Sequence, residues 1–352
     1  MAAGGTAGHI EPAVNTADTL RRLRPDATVT FLGSDRGLEN SLVPARGYPL
    51  VTVPSVPIPR GLDARAVRVP GALFASVRAS RRALRELRAD VVVGFGGYVA
   101  GPAYLAARAE GIPLIVHEAN ARPGWANRLG ARLTPHVAAV RAGDLPHARA
   151  VGMPVRGSIR NLDRAAMAAE ARREMGLEGP TLLVFGGSQG ARRLNDLVAA
   201  CLDEWQGAGI DVIHVYGAAN VAPTPRPGYV PIPFSDRMDL LYAAADLVVC
   251  RAGAMTCAEV ATVGLPAIYI PLPVGNGEQE LNALPVVRDG GGMLIRDQDV
   301  TVPWLVDQVV TLMGDEPRRA EMGRAAGAHG SRNADEVMAR WIIDVAEGSG
   351  AS

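Results

Sequence analysis

Three glycine-rich stretches hold the residue types best suited to chemistry: "AAGGTAGHIEP" (Ala2–Pro12), "GFGGYVAGP" (Gly94–Pro102) and "GGSQGA" (Gly186–Ala191). Each precedes an apolar helical pattern, so backbone amides at a helix N-terminus can face an anion such as phosphate. Three such loops in one chain point to a phosphate-containing substrate, although a tight strand-to-helix turn explains the glycines of any one loop equally well. His9 stands where the first loop enters its helix. Its ordinary pKa lies close to working pH, which suits a general base that takes a proton from a hydroxyl; a histidine capping a helix fits the same position. In "CRAGAMTCAEVATVGLPAIYIP" (Cys250–Pro271), Glu259 falls inside the first two turns of a helix. There it can accept hydrogen bonds from two vicinal ribose hydroxyls while the amides of Ala254 and Met255 approach phosphate oxygens. "GNGEQELNALP" (Gly275–Pro285) brings Gln279 and Asn282 to the next helix entry, and side-chain amides donate and accept together, as sugar hydroxyls require. Either segment alone also reads as an ordinary capped helix.

Two competing chemistries are disfavoured by the same residues. A dinucleotide fingerprint needs a first glycine where this chain has Ala3 and Phe185, so neither turn matches G-x-G-x-x-G. Asp297-Gln298-Asp299 spells D-x-D, but it precedes the helical pattern "VPWLVDQVV" and reads as polar helix-entry residues. No metal site is assigned. Cys201, Cys250 and Cys257 have no metal-ligand spacing and read as reduced, buried thiols.

The elements that must position these residues alternate short apolar runs with amphipathic helices over 352 residues, enough for two α/β domains. Strands are expected near Thr28–Gly33, Pro49–Pro54, Asp90–Phe95 and Pro113–Glu118, a parallel, doubly wound pattern. After "VGMPVRGSI" (Val151–Ile159) the pattern restarts with "TLLVFGG", "DVIHVYG", "YVPIPF", "DLVVCRAG" and "PAIYIPL". The boundary therefore falls near Arg156: residues 1–156 form a first Rossmann-like domain, 157–332 a second, and the helix "NADEVMARWIIDVAE" within 333–347 packs back toward the first. Both halves use a GG-x-x-G turn, and two facing Rossmann-like domains with a cleft between them are expected. A phosphate loop of this kind normally follows a central strand of about five or six residues. Only Met1, Ala2 and Ala3 precede Gly4, so the first strand is expected to be truncated, with the functional protein starting upstream.

Net charge is zero, yet residues 1–150 hold 19 Arg against 11 Asp and Glu, a balance of +8 that leaves −8 for the rest. The excess gathers between Arg60 and Arg88 around the apolar run "VPGALFASV" (Val69–Val77), a basic, partly apolar face suited to an anionic membrane surface and equally readable as a solvated helix. Nucleic acid is not an expected partner, since no aromatic-rich basic motif accompanies the charge. With no apolar run as long as a membrane span and no leader pattern, a cytoplasmic protein is expected.

Taken together, "GGTAGHIEP", "GFGGYVAGP", "HEANARPG" (His117–Gly124), "GGSQGARRLN" and "CRAGAMTCAE…GLPA…EQELNALP" resemble the MurG family, and most of all its actinobacterial branch. The match runs in order over nearly the whole chain. The resemblance implies the two-domain GT-B glycosyltransferase fold and an inverting transfer of N-acetylglucosamine from UDP-N-acetylglucosamine to the muramoyl C4 hydroxyl of lipid I, giving lipid II for peptidoglycan. It implies no cofactor, no metal, and a peripheral location on the cytoplasmic face of the cell membrane. His9 is then the candidate base. Thr6, Ala7, Gly8 and Asn120 match donor-contacting positions on the first domain, where Gly96, Gly97, Tyr98 and Gly101 form the acceptor or pyrophosphate loop. On the second domain Ser188 would contact the diphosphate; Ala254, Met255, Thr256 and Glu259 would hold phosphate and ribose, and Gln279 with Asn282 the sugar. Arg156 in "MPVR" and Ser235 in "PFSDRM" match positions lining the uracil end. Ala7 replaces a glycine, Ala119 replaces Gln in the usual "HEQN", and Glu278 replaces a neutral polar residue, which bears on which sugar is transferred. Two other functions are compatible with the residues: a related enzyme glycosylating a secondary metabolite, and a non-catalytic UDP-sugar-sensing partner of a cell-wall complex.

Overall fold

A computed structural model of the chain describes residues 1–54, 56, 69–143, 145–187, 190–274 and 277–348. Its internal contacts divide it into two units, Met1–Arg156 with Asn333–Ser352, and Gly157–Arg332.

The first unit runs β1 (Ala2–Ala3), α1 (Ala7–Leu23), β2 (Phe31–Gly33), α2 (Glu39–Ala45), β3 (Leu50–Thr52), α3 (Val69–Glu86), β4 (Val92–Gly96), α4 (Ala100–Glu110), β5 (Leu114–Glu118), α5 (Trp125–Gly130), β6 (Val137–Ala139) and β7 (Ala148–Ala150). Among the described residues its strands form a seven-stranded parallel sheet in the order β3-β2-β1-β4-β5-β6-β7. Side chains alternate across the pleat. Ala3, Phe31, Val93, Phe95 and Ile115 face α1, while Ala2, Leu32, Val92 and Val116 face α4. Strands covered on both faces read as unbroken apolar runs, which is why "VVVGF" and "PLIVHE" are recognisable in sequence. Below β1, a cavity of about 470 Å³ opens among Met1, Thr28–Thr30, Ala89–Val93 and Ile343.

The second unit runs α6 (Gly157–Arg160), α7 (Arg164–Met175), β8 (Thr181–Phe185), α8 (Arg192–Gly207), β9 (Asp211–Val215), β10 (Tyr229–Ile232), α9 (Met238–Ala244), β11 (Leu247–Cys250), α10 (Ala254–Thr262), β12 (Ala267–Tyr269), α11 (Glu278–Arg288), β13 (Gly292–Leu294), α12 (Val302–Gly314) and α13 (Glu316–Gly327). Its six-stranded parallel sheet has the order β10-β9-β8-β11-β12-β13. Helix α8 shows why a helix forms here: Leu194, Leu197, Val198, Cys201, Leu202 and Trp205 recur at helical spacing and are the buried ones. The three cysteines are buried and free of disulfides. Helix α14 (Ala334–Ala346) joins the first unit, packing Met338, Ala339, Ile342 and Val345 on Ile10, Val14 and Ala17 of α1, with Thr19 hydrogen-bonded to Asp335.

Both sheets are doubly wound. In each the strand order reverses at the centre, between β1 and β4 and between β8 and β11, and loops leaving the carboxyl ends there are where such folds bind ligands. The strand expected at Thr28–Gly33 contracts to Phe31–Gly33, and β6, β7 and β13 have no counterpart among the expected strands. Each spans three residues, too short for a run that periodicity can detect.

Candidate functional site

In the first unit the two central loops interlock. The chain leaves β1 through Gly4, Gly5 and Thr6 into α1, and leaves β4 through Gly96, Gly97 and Tyr98 into α4. Gly97 has φ +86°, and a Cβ there would lie 2.2 Å from the Gly4 carbonyl oxygen. Gly96 has φ +100°, and its missing Cβ leaves room for the His9 ring, whose Cδ2 would otherwise be 2.9 Å away. Glycine is required at both positions by backbone conformation and by close approach. Tyr98 is exposed, whereas Gly101 is buried in the first turn of α4, where a Cβ would strike the Trp125 ring at 2.5 Å; its smallness serves packing.

His9 is half-buried in the first turn of α1, with Nδ1 3.2 Å from Thr6 Oγ1. Burial pulls the ring below its ordinary pKa, opposed by hydrogen bonding to the Gly4 backbone and by the Glu39 carboxylate. The imidazole therefore keeps a lone pair at neutral pH, the state a base requires. Helix α1 has no side-chain cap at Thr6, so the adjacent amides of Ala7 and Gly8 stand at an uncapped N-terminus. The helices of the second unit that do carry a side-chain cap, through Asp163, Thr301 and Asp315, do not begin at the central loops.

One strand over, Glu118 at the end of β5 is buried and accepts from Asn120 N (2.8 Å), Gly124 N (3.1 Å) and Asn127 Nδ2 (2.9 Å). Asn127 Oδ1 in turn accepts from Tyr104 OH at 2.7 Å. Burial raises the Glu118 carboxyl above its usual range despite these donors. The network fixes Asn120, whose side chain also reaches Glu118 at 3.4 Å. Arg156 lies against α1, donating from Nη2 to Glu11 Oε1 at 2.8 Å and from Nε to Glu11 Oε2 at 3.2 Å.

In the second unit, β11 leads through Arg251, Ala252 and Gly253 into α10, which begins at Ala254 without a side-chain cap and carries Met255, Thr256 and Glu259. The hydroxyl of buried Tyr242 donates to Glu259 Oε2 at 2.9 Å. Two residues brace the loops from α11: Gln279 Oε1 accepts from Leu272 N at 3.0 Å, and Asn282 Nδ2 donates to Ala252 O at 3.3 Å. Ser235 closes a turn before α9, its Oγ accepting from Arg237 N at 3.1 Å. Ser188 lies outside the described residues.

The D-x-D segment reads differently in the structure. Asp297 is no simple helix-entry residue: it starts a 3₁₀ turn (Asp297–Asp299), and Thr301 caps α12 instead. Asp297 pairs with the buried Arg251 guanidinium and, at 3.2 Å, with Arg193. Arg251 also donates to Ile270 O and Pro271 O at 3.1 and 3.2 Å, so the pair ties three strand ends together.

Sequence reasoning missed Glu39, Glu118, Asn127, Tyr242 and Arg251, each of which holds an expected site residue or its loop. An acid opening a short helix after "GSDRG", and the acid of "HEAN" at a strand's carboxyl end, were the available signals.

Two further histidines make a pH prediction. His117 in β5 and His214 in β9 are buried, and desolvation lowers each from 6.5 to about 4. The unfolded chain therefore binds more protons than the folded one between those values, so their contribution is full above pH 6.5 and is lost as pH falls toward 4. Melting temperature is expected to drop across that window, and His214→Gln to flatten part of the slope; an unchanged slope would contradict the assignment.

The glycosyltransferase family 28 N-terminal domain model matches residues 1–139, and its C-terminal counterpart residues 181–338. Among curated relatives, the UDP-N-acetylglucosamine–N-acetylmuramyl-(pentapeptide) pyrophosphoryl-undecaprenol N-acetylglucosamine transferase of Nocardia farcinica is 53% identical, covering 98% of this chain and 95% of the relative. The enzyme of the same name from Streptomyces avermitilis is 51% identical over 98% of this chain and 97% of its own. Among solved structures, Acinetobacter baumannii MurG matches with a TM-score of 0.76 at 29% identity, covering 98% of both chains. The expected GT-B class, two Rossmann-like domains, is the one these likenesses support.

Proposed function

The chain belongs to glycosyltransferase family 28 and, within it, to the MurG family, and on that premise we propose that it transfers N-acetylglucosamine from UDP-N-acetylglucosamine to lipid I. The product is lipid II, a building block of peptidoglycan. The observation that carries this reading is likeness at about half identity over nearly the full length to transferases of that name. His9 takes the proton of the muramoyl C4 hydroxyl as that oxygen attacks the anomeric carbon from the face opposite UDP. The bond from that carbon to the diphosphate oxygen breaks, and UDP leaves with the electron pair. Amides at the start of α10 stabilise the charge that develops on the leaving diphosphate, an electrostatic contribution already in place before reaction. Glu259 accepts the ribose hydroxyls with Tyr242 holding one of its oxygens, and Gln279 meets the sugar.

Release of UDP from UDP-N-acetylglucosamine tests this reading. It should depend on lipid I; release with a polyketide or other secondary-metabolite acceptor instead would favour the alternative enzyme, and binding of the UDP-sugar without turnover would favour a sensor. Glu259→Gln is expected to weaken UDP by about 10- to 150-fold, the equivalent of a charged hydrogen bond worth about 1.5–3 kcal/mol. Equal UDP affinity by calorimetry would remove Glu259 from the ribose site.

Membrane docking through α3 belongs to the same proposal. No helix among the described residues is long and apolar enough to cross a membrane. Phe74 is 71% exposed and shares a helix face with Arg78 and Arg82. Arg81 and Arg85 both pair with Glu110 of α4, and Arg82 with Glu86, so the basic character is smaller than the count of arginines suggests. Arg60, Arg65 and Arg68 lie outside the described residues. Phe74→Ser and Arg78→Gln should each weaken binding to anionic vesicles, the latter by about 1 kcal/mol and in a salt-dependent manner; indifference to both would return α3 to a solvated helix.

A further inference from the structure

Behind the first glycine loop lies a carboxylate that no sequence motif marked. Glu39, the first residue of α2, is completely buried, a costly place for a charge unless donors surround it. They do: Oε2 accepts from Gly5 N at 2.9 Å, and Oε1 from Ser34 N at 2.8 Å and Ser34 Oγ at 2.7 Å. The chain also clears space for it. A Cβ on Gly4 would fall 2.7 Å from Glu39 Oε1, one on Gly33 2.6 Å from its Cγ, and one on Gly37 1.8 Å from Oε2. Three glycines from three segments thus surround one side chain, and its Gly5 contact lies four residues from His9.

We propose that Glu39 is the positioning residue of the base: its buried carboxylate pins the Gly5 amide to the end of β2, holding the β1–α1 loop and His9 in register with Gly96 and Gly97. The proposal rests on the reading of His9 as base. Glu39 reaches no substrate, being buried, and acts through the loop. Its negative charge also stabilises the imidazolium that forms as His9 takes the proton. Glutamine is a poor substitute, because its NH₂ must face the N–H of either Gly5 or Ser34, and one donor then loses its acceptor.

Steady-state kinetics with UDP-N-acetylglucosamine and lipid I on the whole chain test this, alongside UDP affinity and melting temperature. Glu39→Gln should lower kcat about 10- to 100-fold, as a misplaced catalytic group does, with UDP affinity falling by much less because the proposed ribose and diphosphate contacts lie on the second unit. Ser34→Ala, which keeps the charge and the Gly5 bond, should lower kcat in the same direction by less, and decides the matter should the glutamine variant not fold. Unchanged kcat in the folded variants overturns the proposal. So does a loss of kcat that merely follows a fall in melting temperature and disappears in assays run at lower temperature, which would make Glu39 a stability residue alone. His9→Ala serves as the control: unchanged turnover there overturns the base reading itself, and this proposal with it.

Discussion

His9→Ala is expected to lower kcat about 10²- to 10⁴-fold, the range that a positioned general base contributes and the effect that the proposed role of His9 requires. UDP affinity should stay within about twofold, because an interaction made in the transition state adds little to ground-state binding. The physical basis is the neutral ring at the entry to α1, held near Thr6 and packed where Gly96 has no side chain. Gly96→Ala should act in the same direction while leaving the imidazole in the sequence, since its Cβ would press on His9 Cδ2 at 2.9 Å. If kcat survives in both variants, proton transfer is not limited by His9. If UDP affinity falls with kcat, the loop binds donor more than it serves the acceptor hydroxyl.

The second large effect concerns stability. Asp297→Ala strands the Arg251 guanidinium, which is 7% exposed, without its carboxylate partner. Breaking one side of a buried ion pair costs about 3–5 kcal/mol, a substantial part of the margin of an ordinary domain. Urea unfolding should show a lower midpoint for the transition that reports on the second unit. Asp299→Ala, in the same D-x-D but exposed, should change stability by no more than about 0.5 kcal/mol. Equal costs for the two would mean that Asp297 does not neutralise Arg251. A double replacement by methionine and leucine should recover much of the loss, because the penalty comes from the unpaired charge.

Strands such as β5 and β8 announce themselves because both faces are covered and the run is apolar throughout, while β6, β7 and β13 hold three residues each and carry no such signal. His9, Glu259 and Gln279 stand out in the sequence as candidates because each lies beside a glycine turn or a helix entry. The residues that hold them in the fold do not stand out. Glu39 meets Gly5 across 34 positions, Tyr242 meets Glu259 across 17, and Asp297 meets Arg251 across 46. A hydrogen bond between distant segments leaves no periodicity, and only the sheet order brings such segments to one end. The same limit applies to α3, a basic, partly apolar face by its sequence, in which Glu110 on the next helix holds two of the arginines. D-x-D carries no sequence sign that Arg251, 46 positions away, pairs with its first carboxylate.

The central claim, transfer of N-acetylglucosamine to lipid I by in-line attack, is tested most directly by determining the linkage of the product by NMR after incubating the wild-type chain with UDP-N-acetylglucosamine and lipid I. The expected product carries a β-linked N-acetylglucosamine on the muramoyl C4 oxygen, with one UDP released for each sugar transferred. An α linkage, a sugar on another hydroxyl, or UDP released by hydrolysis with lipid I left unmodified would contradict it.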